Sequence, residues 1–88
     1  MFYVYVLQSE KNYRSYIGFT PDLKERIKRH NNGEVYWTKR HMPWRLIYYE
    51  AYISRTDALE RERQLKRFAK GFAQLKRRLR HTLKELQR

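Results

Sequence analysis

The fold is decided near the amino terminus by the sequences FYVYVL at residues 2–7 and SYIGF at residues 15–19. Both segments are rich in β-branched and aromatic residues, which favour strands. The polar sequence EKN at residues 10–12 separates them and is typical of a turn. The pattern therefore predicts an antiparallel hairpin.

Side chains alternate along a strand, so the hairpin predicts which residues share a face. Tyr3, Tyr5 and Leu7 lie on one side of the first strand, and Tyr16 lies on the same side as Gly18 in the second. Because glycine has no side chain, we expect free space beside the Tyr16 phenol.

A first helix is expected over about Pro21–Asn31. Thr20 is the predicted N-cap, Pro21 suits the first turn, and the Asp22 carboxylate suits the positive end of the helix dipole. The sequence NNG at residues 31–33 ends the helix.

Helical spacing gives this helix an inward stripe of Leu23 and Ile27. Arg26 and His30 fall on the same stripe, so two of its polar residues face inward. The residues predicted to point to solvent are Lys24, Glu25, Lys28 and Arg29.

The segment from Gly33 to Pro43 has no clear period and predicts a loop or a short irregular helix. Trp44–Ile53 is dominated by strand formers and predicts the third strand. Ser54, with Asp57 three residues later, is typical of the start of a second helix.

The apolar positions of the second helix are Ala58, Leu65 and Ala69. The same helical spacing includes position 62, where the sequence has Glu62 instead of an apolar residue. A carboxylate is therefore expected on the core side. Gly71 is predicted to interrupt or end the helix. A third helix follows, with a stripe at Phe72, Leu75, Leu79, Leu83 and Leu86.

The predicted element order is β-β-α-β-α-α, which indicates an α/β fold class of the α+β type. The 88 residues suffice for one domain, expected over 1–88 with a core of about 1–70 and a basic C-terminal helix of about 71–87.

Composition narrows the classes of partner. The formal net charge is +12 and 16% of residues are aromatic, which favours nucleic acid over a membrane surface and leaves an acidic protein open as a partner. The sequence has no cysteine, which excludes disulfides and thiolate zinc sites and favours a reducing cytoplasm. The apolar run at residues 1–7 is too short to span a bilayer. We find no phosphate-binding Gly-rich loop.

Several short motifs follow one another in a specific order and spacing over most of the chain. They are Tyr3-Val4-Tyr5, Tyr16-Ile17-Gly18, Asp22-Leu23, Arg26, His30-Asn31, Thr38-Lys39, Pro43-Trp44 and Glu62. Together they resemble the GIY-YIG nuclease superfamily, especially its small free-standing bacterial members. The departure is at Tyr3, which stands where the first half-motif of the family has glycine.

The resemblance implies a GIY-YIG endonuclease-like fold, in which helices flank a three-stranded antiparallel sheet. It also implies a nuclease site with one divalent ion. Glu62 would bind Mg²⁺ or Mn²⁺, unless it is an ordinary surface glutamate. Arg26 would clamp the scissile phosphate, unless it only covers the sheet edge.

Tyr5 or Tyr16 would orient or deprotonate the attacking water. Phenols ordinarily titrate at a pKa of about 10, so either this pKa is lowered or the metal activates the water. The alternative is that both tyrosines are structural residues of the sheet, with hydroxyls that hydrogen-bond within the protein. His30 would bind phosphate or relay a proton, unless it simply packs at the helix end.

Further residues suit contacts with nucleic acid outside the catalytic group. Trp37 is a candidate for stacking on a base, although a core tryptophan is the more common explanation. The candidates for contacts with backbone phosphates are Lys39, Arg40, Arg77 and Arg78.

Three functions remain open on the sequence. The first is a metal-dependent endonuclease acting on DNA more than on RNA, with structured or damaged DNA in repair or recombination as its substrate and a protein partner supplying specificity. The second is a non-catalytic nucleic-acid-binding module with the same fold. The third is a protein-interaction module that uses the basic C-terminal helix.

Overall fold

The computed structural model describes residues 1–67 and 69–86. Its strands are β1 (Phe2–Ser9), β2 (Ser15–Thr20) and β3 (Trp44–Tyr52). They form one antiparallel sheet in the order β2-β1-β3, which confirms the predicted hairpin and third strand. In this register Tyr5 lies opposite Gly18 on one side and Tyr49 on the other.

Four α-helices and a short 3-10 helix complete the described chain. The 3-10 helix Lys39–His41 lies in the segment predicted as a loop or irregular helix. The α-helices are α1 (Leu23–Asn31), α2 (Arg55–Arg67), α3 (Ala69–Arg78) and α4 (Arg80–Leu86).

The sheet buries apolar residues on both faces, because side chains alternate along β1. On one face Val4 and Val6 pack with Leu65 of α2 and Leu75 of α3.

On the other face, Tyr5 and Leu7 pack with Trp44, and partly buried residues of α1 cover them. The central strand is thus enclosed between α1 and the α2–α3 layer. This second face carries the Tyr5 phenol discussed below.

The start of α1 differs from the prediction. Asp22, not Thr20, is the N-cap, and its carboxylate accepts a hydrogen bond from the backbone N–H of Glu25 at 3.1 Å. Thr20 is still paired in β2, opposite Tyr3, and its hydroxyl accepts from the N–H of Asp22. The sheet holds Thr20 in extended backbone, so Pro21 precedes the helix.

The start of α2 follows the prediction, since the Ser54 hydroxyl accepts from the N–H of Asp57 at 3.2 Å. Gly71, however, lies inside α3 and does not end a helix. A Cβ at this position would lie 3.5 Å from the backbone oxygen of Gln64, so the glycine lies where α3 approaches α2.

The predicted third helix consists of two segments, α3 and α4, which are separated at Leu79. Ala58 and Leu65 are buried as predicted. Phe68, the side chain of Ala69 and the last residues of the predicted helix, 87 and 88, lie outside the described part of the structure. Among the described helices, none has the length and apolar character needed to cross a bilayer.

Candidate functional site

Tyr5 lies at the centre of the sheet face covered by α1, and only 1% of its surface is exposed. Its ring extends across β2 above Gly18. A Cβ on Gly18 would overlap Cζ and Oη of Tyr5 and would lie 2.8 Å from Cε1. The space expected beside Tyr16 is therefore filled by the other phenol.

A chain of hydrogen bonds runs from this phenol into the loop after α1. Oη of Tyr5 lies 2.8 Å from Nε2 of His30, and Nδ1 of His30 lies 2.8 Å from the hydroxyl of Thr38. The Thr38 hydroxyl donates to the carbonyl of Val35 at 3.3 Å. Since that hydroxyl then accepts from Nδ1–H, we assign the neutral tautomer in which Nε2 accepts the phenol proton.

Electrostatics favour the neutral forms of both partners. Burial, together with the charges of Arg26 and Arg29, lowers the pKa of His30 to about 4. Burial, with the nearby Tyr16, raises the pKa of Tyr5 well above its usual value. At neutral pH Tyr5 is therefore a phenol that donates to an uncharged imidazole.

Tyr16 is the more accessible phenol, because it is only partly buried on the edge strand β2. Its ring contacts His30 edge-on with centroids 5.0 Å apart, and Trp44 with centroids 6.3 Å apart. The Tyr5 and Tyr16 rings are 6.4 Å apart and tilted. The two phenols belong to one aromatic cluster.

Arg26 lies one turn before His30 on α1 and is partly buried, as the helical spacing predicted. Its charge lowers the pKa of both Tyr5 and His30, so the guanidinium acts on the same cluster. The residues of α1 that were expected to face solvent are exposed, namely Lys24, Glu25, Lys28 and Arg29.

Glu62 approaches from α2, and its side chain is only 20% exposed, in agreement with the predicted core-side position. Its charge raises the pKa of Tyr5, so it too acts on the phenol. The carboxylate is paired with Nζ of Lys66 at 3.2 Å. The same Nζ lies 5.8 Å from the centre of the Tyr16 ring.

The structure thus brings together residues from two strands and two helices. Tyr5 contacts His30 and Tyr16 directly and interacts electrostatically with Arg26 and Glu62. A guanidinium and a partly exposed phenol beside a fixed neutral imidazole can bind and orient a phosphodiester, and a carboxylate next to them can hold a cation.

The sequence of this domain matches the GIY-YIG catalytic domain over residues 1–72. The chain belongs to the GIY-YIG family. Family membership implies nuclease-type chemistry.

Proteins similar to this GIY-YIG domain carry the name UPF0213 protein. One from Staphylococcus saprophyticus is 35% identical over 77% of this chain and 83% of its own length. One from Pediococcus pentosaceus is 41% identical over 74% of this chain and 68% of its own length. One from Haloquadratum walsbyi is 32% identical over 77% of this chain and 76% of its own length. No solved structure matches the chain significantly.

GIY-YIG nucleases generally use a divalent metal. Among the described residues of this GIY-YIG domain, no three metal-ligating side chains converge. The ligand predicted from the resemblance is the single carboxylate of Glu62, which is 20% exposed and lies beside Lys66. This fits a hard ion such as Mg²⁺ or Mn²⁺, which keeps most of its waters and takes one carboxylate plus phosphate oxygens.

Three contributors to the GIY-YIG site were not assigned a role from the sequence. Lys66 lies one turn after Glu62, and this spacing was a usable signal. Thr38 orients His30 through its hydroxyl. The side-chain amide of Asn31 accepts from the backbone N–H of Trp44 at 2.7 Å and donates to its carbonyl at 2.8 Å. These last contacts join distant segments and leave no local pattern.

The residues predicted to bind nucleic acid lie outside this cluster. Trp37, Lys39 and Arg40 are exposed in the loop that contains Thr38. Arg77 and Arg78 are exposed in the last turn of α3. The chain therefore presents cations on two separate segments, of which the second follows the matched residues 1–72.

A second polar network on the opposite sheet face has a structural role. Glu50 accepts hydrogen bonds from Tyr48 at 2.6 Å, from Tyr52, and from Nε of Arg61 at 2.9 Å. The hydroxyls of Tyr48 and Tyr52 are thus satisfied, as expected for sheet aromatics. The network binds α2 to β3.

Proposed function

We propose that this protein is a divalent-metal-dependent endonuclease that hydrolyses phosphodiester bonds in DNA. Structured or damaged DNA, as met in repair or recombination, is the proposed substrate. The observation that carries this proposal is the clustering of Tyr5, Tyr16, Arg26, His30 and Glu62 from four separate elements around one phenol.

The exposure of each side chain indicates whether it contacts the substrate or positions another residue. Tyr16 and Arg26 are partly exposed, so they contact the substrate: Tyr16 orients the attacking water and Arg26 clamps the scissile phosphate. Tyr5 is buried and donates to His30, so this pair positions the Tyr16 ring and excludes water behind it.

Glu62 would hold the ion, whose chemistry is Lewis-acid stabilisation of the charge that develops on the phosphoryl oxygens. Before the ion binds, Lys66 neutralises the carboxylate through the 3.2 Å pair. Lys39, Arg40, Arg77 and Arg78 contact backbone phosphates without reading sequence, so shape or a partner protein supplies specificity.

The test is nicking of supercoiled plasmid and of branched DNA in Mg²⁺ or Mn²⁺. Glu62→Gln and Arg26→Gln should each reduce the nicking rate by at least about 100-fold, while salt-sensitive DNA binding remains. The matched control is Glu60→Gln, an exposed glutamate two residues earlier on α2, which should cleave like the wild type.

Tyr16→Phe should lose more activity than Tyr5→Phe if Tyr16 orients the water. Binding without cleavage by the wild type, with any divalent ion, would overturn the proposal in favour of a non-catalytic binding module. A protein that binds no nucleic acid even at low salt would instead fit the protein-interaction module.

A further inference from the structure

Two aromatic side chains beside the site are left in solvent. Tyr36 and Trp37 are 66% and 76% exposed, whereas Trp44 is buried in the aromatic cluster. Their rings contact edge-to-face with centroids 5.3 Å apart. We call this pair the aromatic platform. Large exposed apolar surface is unfavourable in water, so an adjacent pair of this kind indicates a surface that binds something.

The platform is firmly attached to the candidate site. Thr38, the next residue, is completely buried. Its carbonyl accepts from Nε1–H of Trp44 at 2.8 Å, and its hydroxyl accepts from Nδ1–H of His30 at 2.8 Å. The platform is therefore adjacent in sequence to the residue that links it, through His30, to the Tyr5 phenol.

The charge around the platform favours an anionic ligand. Nζ of Lys39 lies 5.0 Å from the centre of the Tyr36 ring, and the exposed Arg40 follows it. Aromatic faces next to cations suit a nucleotide, whose base stacks while its phosphate pairs with the cation. The net charge of +12 favours the same class of ligand.

We propose that the aromatic platform stacks on an unpaired base of the substrate close to the scissile phosphate. The substrate class is thus a nucleic acid with an unpaired nucleotide at the site, as in a flap, a bulge or a single strand. In a continuous duplex every base face is already stacked and none is available to the platform. This inference rests on the proposed endonuclease function and specifies its substrate.

Binding measured in EDTA tests the inference separately from cleavage, because no turnover occurs without the ion. The probes are three hairpin DNAs closed by the same non-nucleotide linker, which carry a one-nucleotide thymine bulge, an abasic bulge or no bulge. The two bulged hairpins have the same number of phosphates. The wild type should bind the thymine bulge about 5- to 100-fold more tightly than the abasic one. Trp37 fluorescence should be quenched on binding, since Trp44 is buried.

Trp37→Ala should lose this preference and keep the same dependence of affinity on salt, because phosphate contacts are unchanged. Trp37→Phe should restore most of the preference. The control Ile53→Ala removes another highly exposed side chain outside this loop and should behave like the wild type.

Equal affinity of the wild type for all three hairpins, or a preference that survives in Trp37→Ala, would overturn the inference. Either result leaves the endonuclease proposal intact if the plasmid is still nicked. Conversely, a base preference in EDTA without cleavage in any metal would retain the platform and refute the endonuclease.

Discussion

The Tyr5 phenol occupies the volume that a side chain at Gly18 would need. The two residues face each other on neighbouring strands, so the size of one determines what the other can be. The absence of a side chain at Gly18 thus serves to place the hydroxyl of Tyr5 against His30.

Gly18→Ala should lower the free energy of unfolding by about 1–3 kcal/mol, because the new methyl group displaces the Tyr5 ring. In a Tyr5→Leu background, which removes every ring atom near Gly18, the same change should cost less than half as much. Urea unfolding of the four proteins in this double-mutant cycle measures the coupling. Additive losses would show that the two residues do not compete for this space.

Stability should depend on pH through His30. The pKa is about 4 in the folded protein and about 6.5 when unfolded, so between these values the unfolded chain binds a proton that the folded protein does not. The contribution is complete above about pH 6.5, and about 1–3 kcal/mol of stability is lost as the pH falls towards 4. Urea midpoints at pH 7.5, 5.5 and 4.5 measure this slope.

His30→Gln should be less stable at pH 7.5 and should show a shallower slope, since the titrating group is gone. The control His81→Gln changes an exposed histidine on α4 and should retain the wild-type slope. Identical slopes in wild type and His30→Gln would contradict the assignment of a neutral buried imidazole.

Lys66 should compete with the divalent ion for Glu62. The pair at 3.2 Å involves a lysine that is 48% exposed, so its contribution is modest. Lys66→Met should therefore lower the metal concentration for half-maximal nicking by about 2- to 5-fold. Lys76→Met, which removes a cation that lies over the Phe72 ring instead, should leave it unchanged. An increased metal requirement in Lys66→Met would show that Lys66 assists binding of the ion or the substrate.

Glu50 should affect stability but not chemistry. Its carboxylate is 16% exposed and pairs with Arg61. Glu50→Gln leaves this partly buried guanidinium without its counter-charge and should cost about 2–4 kcal/mol of stability in urea unfolding. The folded variant should still nick plasmid at the wild-type rate. Glu10→Gln, at an exposed pair with a 3.8 Å separation, is the control and should cost much less. A folded Glu50→Gln protein without activity would place this network in the site.

Much of the fold could be predicted because local periodicity depends only on residues close in sequence. Alternation correctly placed Tyr5 and Leu7 on one face, and helical spacing correctly turned Arg26 and His30 inward. The Ser54 cap was likewise visible, since cap and N–H donor are three residues apart. The prediction of Thr20 as the N-cap was wrong, because its pairing with Tyr3 in β1 outweighed its local preference for an N-cap position.

The sequence by itself determined the three strands, the inward carboxylate and arginine, and the positive charge, because each follows from spacing or composition. Only the tertiary structure decided that Tyr5 is sealed over Gly18 while Tyr16 stays accessible. It also decided that Thr38 orients His30 and that Nζ of Lys66 lies over the Tyr16 ring. The physical reason is that burial and hydrogen-bond partners arise from packing between segments far apart in the chain, and no local period encodes them.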